Sequence, residues 1–506
     1  MTDSQQPVAH HCPPALRKYV IVVAFLASAM GFIDGSIVAI ALPKIRQALG
    51  ADFTQAQWIS NAYVLFLSAF ILLGGGLGDR LGVKFVFGLG IVGFIIMSLA
   101  CALAWSPESL IVFRALQGAA SAIMLPGSMA LIARNTPREQ RAQALGIWIA
   151  SSSITTALGP FIGGFLLTYG GEGVWRWIFA INLPIGLLAL YFLWRKVPLD
   201  AARQAGGWMA LDWKGGMLIT LAMGLLAASL TMLGEKGGAW AALVLVGLTL
   251  LATVYAISWE LKTDEPMIEM RLFRSRAFSG ANILTFLIWS CMGALTFFIP
   301  MLIIVSWKLP ASYAGSMFLP FSAMISVLSV FAGKLIARFG VKRLMSFGAL
   351  VYGLGCVWLA MATQSQDYWT GILPGMMVVG FGVGLIGPTV SAAAINAVDE
   401  DKSGTASGIN NMMARLSYLF AVAGLGLIVT FVHNRTIETA AIHDDIKTLM
   451  IDQGFGERLT GPLYQISTVA LQEEAMGAAA LALLLVMAAM SVVAAVVSWT
   501  MLGEAE

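Results

Sequence analysis

Two charges stand where an apolar chain should carry none. Asp34 lies about four residues, roughly 6 Å, past the middle of an apolar run over 19–42, and Arg114 lies roughly 9 Å to the same side of the middle of another over 107–133. A carboxyl group near a membrane helix centre costs about 2.5–3.5 kcal/mol on insertion scales, so it faces other helices and takes a partner. Burial disfavours its charged form and a nearby cation favours it, and between the two a proton can be taken up and released near neutral pH. Asp34 is therefore the expected proton carrier. Arg114 keeps its own proton and would be a fixed counter-charge. A structural ion pair, or donation from Arg114 to backbone carbonyls, is the plainer role for each. Arg415, beside Asn410 and Asn411, is a second interior polar group, although it lies near enough to a helix end to snorkel.

Other chemistries find no residues. The glycine-rich stretch 75–84 has no strand before it and no Gly-Lys-Ser/Thr after it, so it is not read as a phosphate loop. Cys12, Cys101, Cys291 and Cys356 have no paired spacing, and His10-His11-Cys12 sits in a polar tail, so neither a disulfide nor a metal site is expected. No nucleophile, metal cluster or carboxylate pair suggests an enzyme.

The elements that position these charges must be membrane helices. Of 506 residues, 58% are hydrophobic and only 11% charged. Runs of roughly 20 apolar residues are long enough to cross a bilayer, and they fall near 19–42, 57–78, 85–105, 107–133, 142–168, 175–194, 211–233, 239–259, 278–305, 312–336, 344–363, 370–397, 405–432 and 475–502. That predicts an all-α polytopic protein with fourteen spans. About twenty lysines and arginines fall on the side of Arg17 and Lys18 against about eight on the other, which puts both termini in the cytoplasm of an inner-membrane protein. Ala27-Ser28-Ala29 resembles a signal-peptidase site, but the apolar run continues past it, so cleavage is not expected.

The chain repeats itself. Residues 75–84, Gly-Gly-Leu-Gly-Asp-Arg-Leu-Gly-Val-Lys, return at 333–342 as Gly-Lys-Leu-Ile-Ala-Arg-Phe-Gly-Val-Lys, and 139–146 find an echo at 401–408. Two six-helix halves so related form a transporter architecture that rocks around a midplane site. The expected division is a tail over 1–18, a first bundle over 19–200, two inserted helices over 201–262 and a second bundle over 263–506 with an outer loop at 433–474. Asp79 and Arg114 have no charged equivalents in the second half, where Ala337 and Met376 stand. Gly159-Pro160 and Gly163-Gly164 make a kinked, closely packing helix, whether as a static notch or as a moving one.

With these residues in view, the chain resembles the major facilitator superfamily, and within it the fourteen-span drug–proton antiporters. Asp34-Gly35-Ser36-Ile37-Val38 through Ala41-Leu42-Pro43-Lys44-Ile45 is similar to that family's helix-1 motif, and Trp58 with Tyr63 to its helix-2 pattern. The stretch 75–84 resembles the cytoplasmic gate, implying that role for Asp79, Arg80, Gly82 and Lys84. Arg114, Gln117 and Gly118 fit the helix-4 motif, where the arginine is implicated in proton transfer. Gly146, Gly159, Pro160, Gly163 and Gly164 match the antiporter motif. Thr155, Val83 and Ser417-Tyr418 depart from the family pattern. The resemblance implies proton-coupled export of a small lipophilic compound, with Trp58, Tyr63, Asn410, Asn411 and Arg415 lining the substrate cavity. A single membrane acid suits a neutral, monocationic or anionic lipophile. The proton is the coupling ion, and no other cofactor is expected. The expected partners are that substrate and membrane lipids, with a periplasmic adaptor and outer-membrane channel as further candidates and no nucleic acid. A lipid flippase or metabolite exporter on the same scaffold is the alternative.

Overall fold

In hydrocarbon every backbone N–H and C=O must bond within its own segment, and helices do this without neighbours. The computed structural model describes residues 13–136, 148, 155, 158–171, 173–198, 212–233, 238–263, 266, 268–398, 403–440 and 467–502. Among these residues the regular structure is helical and contains no strand. The first half comprises α1 (Pro14–Leu49), α2 (Phe53–Leu81), α3 (Val83–Ala102), α4 (Pro107–Asn135), α5 (Leu158–Tyr169) and α6 (Asn182–Lys196). Then come α7 (Trp213–Leu233) and α8 (Ala239–Glu260). The second half comprises α9 (Arg276–Met301), α10 (Ala311–Ser316), α11 (Phe318–Phe339), α12 (Val341–Ser365), α13 (Leu373–Asn396), α14 (Ser403–Phe420), α15 (Gly426–Thr439) and α16 (Ser467–Met501).

Twelve helices among the described residues are long and apolar enough to cross a membrane. They do not include α2, which covers the expected span 57–78, or the span 142–168, of which α5 is the main described part. The loop expected over 433–474 is narrower. Helix continues to Thr439 and resumes at Ser467, because an apolar window marks only the length inside hydrocarbon and says nothing of a polar helical extension. The tail over 1–12, Gly146, and the loop residues 441–466 lie outside the described residues.

The repeat read in the sequence has a backbone counterpart. Gly82 (φ 94°) is the single residue between α2 and α3, and Gly340 (φ 77°) the single residue between α11 and α12. A side chain strains this left-handed region, where glycine is free. Gly82→Ala should lower stability by about 1–3 kcal/mol, read as a lower unfolding midpoint of the detergent-solubilised protein. Gly78→Ala, one turn earlier in α2 with only an ordinary 3.7 Å approach to Val83, should not lower it.

Helices α1 to α4 and α6 pack on one another, as do α9 with α14 and α16, α11 with α13, and α12 with α13 and α16. Between the halves, α7 and α8 form a hairpin, with α7 laid against α2. On α8, Leu243, Leu250, Leu251 and Val254 are each more than 60% exposed; a surface this apolar needs lipid beside it.

One end of the bundle joins the halves. A single hydrophobic cluster there takes Ile37, Ala41 and Ile45 from α1, Leu295 and Ile299 from α9, and Met317 and Phe318 beside α10. Two polar links cross the same end: the backbone N–H of Ser312 donates to Thr168 Oγ1 (2.9 Å), and Gln57 Nε2 to the carbonyl of Val422 (3.2 Å). The second half also holds three π-helical turns: Leu302–Ser306 after α9, Tyr368–Ile372 before α13, and Ala421–Leu425 between α14 and α15. None occurs among the described residues of the first half.

Candidate functional site

Helix α1 buries a stripe at three- and four-residue spacing: Ala27, Met30, Asp34, Ile37, Ala41 and Ile45. Side chains so spaced share one face, so the apolar stripe that seats α1 also carries Asp34 inward. Its exposure is 0%. On α4 the corresponding stripe is Leu110, Arg114, Gln117, Ser121 and Ser128, all buried. The two stripes face each other.

Arg114 Nη1 donates to Asp34 Oδ2 in a fully buried ion pair. The same nitrogen donates to Gln117 Oε1 (2.8 Å), and Gln117 Nε2 donates to Asp34 Oδ1 (2.9 Å). Arg114 Nε donates to the carbonyl of Ile59 (3.3 Å) on α2, so the counter-charge and backbone-donor roles read from the sequence coexist. From α6, Asn182 Nδ2 reaches Asp34 Oδ1 at 3.4 Å and Ser98 Oγ at 2.9 Å, while Ser98 donates to the carbonyl of Phe179 (2.8 Å). Asn182 Oδ1 is buried without a hydrogen-bond partner. The Tyr63 ring lies 4.3 Å from the Arg114 guanidinium carbon, and its hydroxyl is 3.0 Å from Ser121 Oγ. Side chains of α4 and α6 thus meet the Asp34 carboxylate directly, held in turn by the Ile59 carbonyl of α2 and Ser98 of α3. Towards the other end of the same seam, Ser28 donates to Ser128 (2.9 Å) and Trp148 Nε1 donates to Ser28 (3.0 Å).

The other residues expected in the cavity separate into three places. Trp58 is half-buried and packs with the cluster of Leu65, Ile219, Met223 and Ala227, where α7 meets α2. Asn410 and Asn411 line a cavity of about 110 Å³ in the second half, where Asn410 Nδ2 donates to Thr285 Oγ1 (2.8 Å) and Asn282 Oδ1 (3.3 Å). Arg415 is half-buried and points across to the first half, 6.0 Å from the ring of Phe32.

Of the residues expected at the gate, Asp79 and Arg80 occupy the last turn of α2, where their side chains are outside the described residues. Gly82 is the junction described above. Lys84 is buried, and its Nζ donates to the carbonyl of Val197 (2.6 Å), tying the start of α3 to the end of α6 within one half. The glycines expected to form the antiporter motif have two different neighbours. A Cβ on Gly159 would stand 2.5 Å from Ser36 Oγ and 3.0 Å from Ile33 Cα on α1, and one on Gly163 would strike Ile37. A Cβ on Gly164 would stand 2.5 Å from the carbonyl oxygen of Ala311 in the other half, and one on Gly315 would strike the carbonyl of Pro160. Helix α5 is therefore a wedge between α1 of its own half and α10 of the other.

Asn182 and Ser98 were missed in the sequence. Asn182 opens α6 in the stretch Ile181-Asn182-Leu183-Pro184, where asparagine beside proline reads as a helix start. Its depth in the membrane is the signal that separates it from a cap.

The sequence profile of the Major Facilitator Superfamily matches residues 24–422. The chain is 29% identical over 432 residues to "Multidrug resistance protein 3" of Bacillus subtilis strain 168, covering 84% of this chain and 82% of that one. It is 30% identical over 436 residues to the "Tetracenomycin C resistance and export protein" of Streptomyces glaucescens, covering 84% and 79%. In fold it is similar to a bacterial homologue of the human lysosomal transporter Spinster in an inward-facing, occupied conformation, with TM-score 0.68 at 15% identity over 96% of this chain and 97% of that one. It is likewise similar to a D-xylose–proton symporter, with TM-score 0.63 at 15% identity over 96% and 98%. With the profile spanning most of its length and the helical architecture matching throughout, the chain belongs to the major facilitator superfamily.

Proposed function

We propose that this protein exports small lipophilic compounds across the inner membrane in exchange for protons, on a fourteen-span scaffold with both termini in the cytoplasm. The observation that carries the reading is the buried Asp34–Arg114 pair. Two opposite charges with no exposure to solvent are worth little to stability, because desolvation offsets their attraction. A proton-coupled carrier, in contrast, needs a carboxylate whose charge can be cancelled inside the membrane. When Asp34 takes a proton, Arg114 loses its counter-charge and falls back on Gln117 and the Ile59 carbonyl. Turning over the Asn182 amide presents its orphaned Oδ1 to the new acid proton. Protonation thus changes hydrogen bonds on α1, α4 and α6 together, and so biases one arrangement of the half over another. Export is favoured by the relatives named for drug and antibiotic resistance. The count of fourteen adds α2 and the 142–168 span to the twelve apolar helices.

The purified protein in liposomes with an imposed pH gradient should accumulate a lipophilic dye against its concentration gradient and release protons in return. A protonophore should stop both. Dye movement indifferent to the pH gradient would remove the coupling, and no movement across a broad dye panel would remove export.

Orientation has its own test. With Cys12 replaced by serine the remaining cysteines are buried, and a cysteine introduced at Ser467 should react with an impermeant thiol reagent applied from outside the inner membrane. Cys12 in the native chain should be protected until that membrane is opened. The reverse pattern inverts the topology. On this orientation the end where α5 meets α10 is the outer one.

A further inference from the structure

The second half keeps a positive charge that no carboxylate among the described residues balances. Arg415 has no acid partner among the described residues, and Asp34 is already occupied by Arg114. Asp34 and Glu260 are the only buried acids among the described residues, and neither borders the cavity between α9, α13 and α14. That cavity is lined by Trp289, Thr285, Ser391 and the two asparagines. Asn410 is already engaged by Asn282 and Thr285. The Asn411 amide and the Trp289 indole N–H make no hydrogen bond among the described residues, and both residues line the open space. Trp289 is half-buried, with the far edge of its ring 3.6 Å from where a Cβ on Gly387 would stand, so the ring rests against a bare stretch of α13. Arg415 follows the lining residue Ala414 directly and Asn411 by four residues on α14, hence on the face of Asn411 one turn along, and lies 6.0 Å from the ring of Phe32 on α1.

We propose that this cavity, with Arg415 at its edge, is the substrate subsite and selects flat aromatic solutes that present oxygen acceptors and carry neutral or negative charge. The inference rests on the export reading and supplies its substrate class. An indole face offers stacking to a planar ring. The surrounding unused groups of Trp289, Asn411 and Arg415 supply donors, and carbonyl, phenolate or carboxylate oxygens are what such donors recognise. A cationic solute meets a guanidinium with no acid among the described residues to offset it. The two halves thereby divide their charges, the first keeping the pair that handles the proton and the second keeping the cation that reads the solute.

Three probes with one ring system separate charge from shape: 1-naphthoate, 1-naphthalenemethanol and 1-naphthylmethylammonium. Their binding to the purified full-length protein can be followed by naphthalene fluorescence. The carboxylate should bind at least about tenfold more tightly than the ammonium, a difference typical of one charge-assisted contact. Arg415→Gln should bring the two within about twofold, Arg415→Lys should keep most of the preference, and Trp289→Leu should weaken all three about tenfold without changing their ratio. The wild-type ratio needs no variant, so a poorly folding Arg415→Gln leaves the inference exposed to disproof. Equal or tighter binding of the ammonium overturns it, as does a preference that survives Arg415→Gln. The same probes in liposomes separate this result from the wider reading. Charge-selective binding without pH-driven movement would sink export and leave the subsite, while pumping of the ammonium alone would sink the subsite and leave export.

Discussion

Asp34→Asn is expected to abolish pH-driven transport altogether while the protein still inserts. The amide preserves size and keeps one acceptor oxygen for Arg114, but it cannot gain and lose a proton. The substitution also leaves Arg114 buried without a counter-charge, and breaking such a pair costs about 3–5 kcal/mol, so a marked fall in unfolding midpoint should accompany the loss. The double variant Asp34→Asn/Arg114→Gln removes both charges. It should regain much of the stability and none of the pH-driven transport. That combination distinguishes a coupling acid from a structural ion pair, since a structural pair predicts that transport returns with stability. Uphill transport by either variant under a pH gradient would disprove the assignment.

Gly164→Leu should have the next largest effect, and on a different quantity. A Cβ at that position already approaches the Ala311 carbonyl oxygen at 2.5 Å and Ser312 Cα at 3.1 Å, and both are backbone that cannot swing aside. Overpacking of about 1–3 kcal/mol then falls wholly on the state in which α5 and α10 touch, because the contact is between halves. A state-specific penalty of about 1.4 kcal/mol changes the ratio of the two states tenfold. The variant should therefore stand mostly open at the end closed here, with a matching rise in thiol-reagent access there and slowed turnover. Gly159→Leu is the control on the same helix. Its clash is with Ile33 and Ser36 inside one half, so it should lower stability and leave the accessibility ratio unchanged. Equal effects of the two leucines would mean that α5 does not separate the halves.

The charged pair could be read from sequence because charges in hydrocarbon are costly enough to need each other, and helical rise alone put Asp34 and Arg114 at compatible depths. The pairing of Trp58 with Tyr63 had no such constraint. Five residues apart on a helix at 100° each, they stand about 140° from one another, so one faces the ion pair and the other α7. The family resemblance put both in one cavity, where angular position divides them. Asn182 was hidden by its neighbours, since an asparagine beside a proline is as well explained by a helix start. The two roles of the antiporter glycines were not separable either. Close approach by another helix is legible from glycine, but which helix approaches depends on how two distant halves meet.

The π-helical turns at Leu302–Ser306, Tyr368–Ile372 and Ala421–Leu425 bear on mechanical stiffness. Each widens a helix locally and leaves its hydrogen-bond ladder weaker there, so bending is cheapest at these points. All three lie in the half without the ion pair. The helices around Asp34 are laced by hydrogen bonds from four neighbours and resist deformation, whereas the opposite half carries soft joints after α9, before α13 and between α14 and α15. A load applied where the halves meet would thus be absorbed as flexure on one side and transmitted as rotation on the other, making the half that holds Asp34 the lever and the half that holds Arg415 the spring.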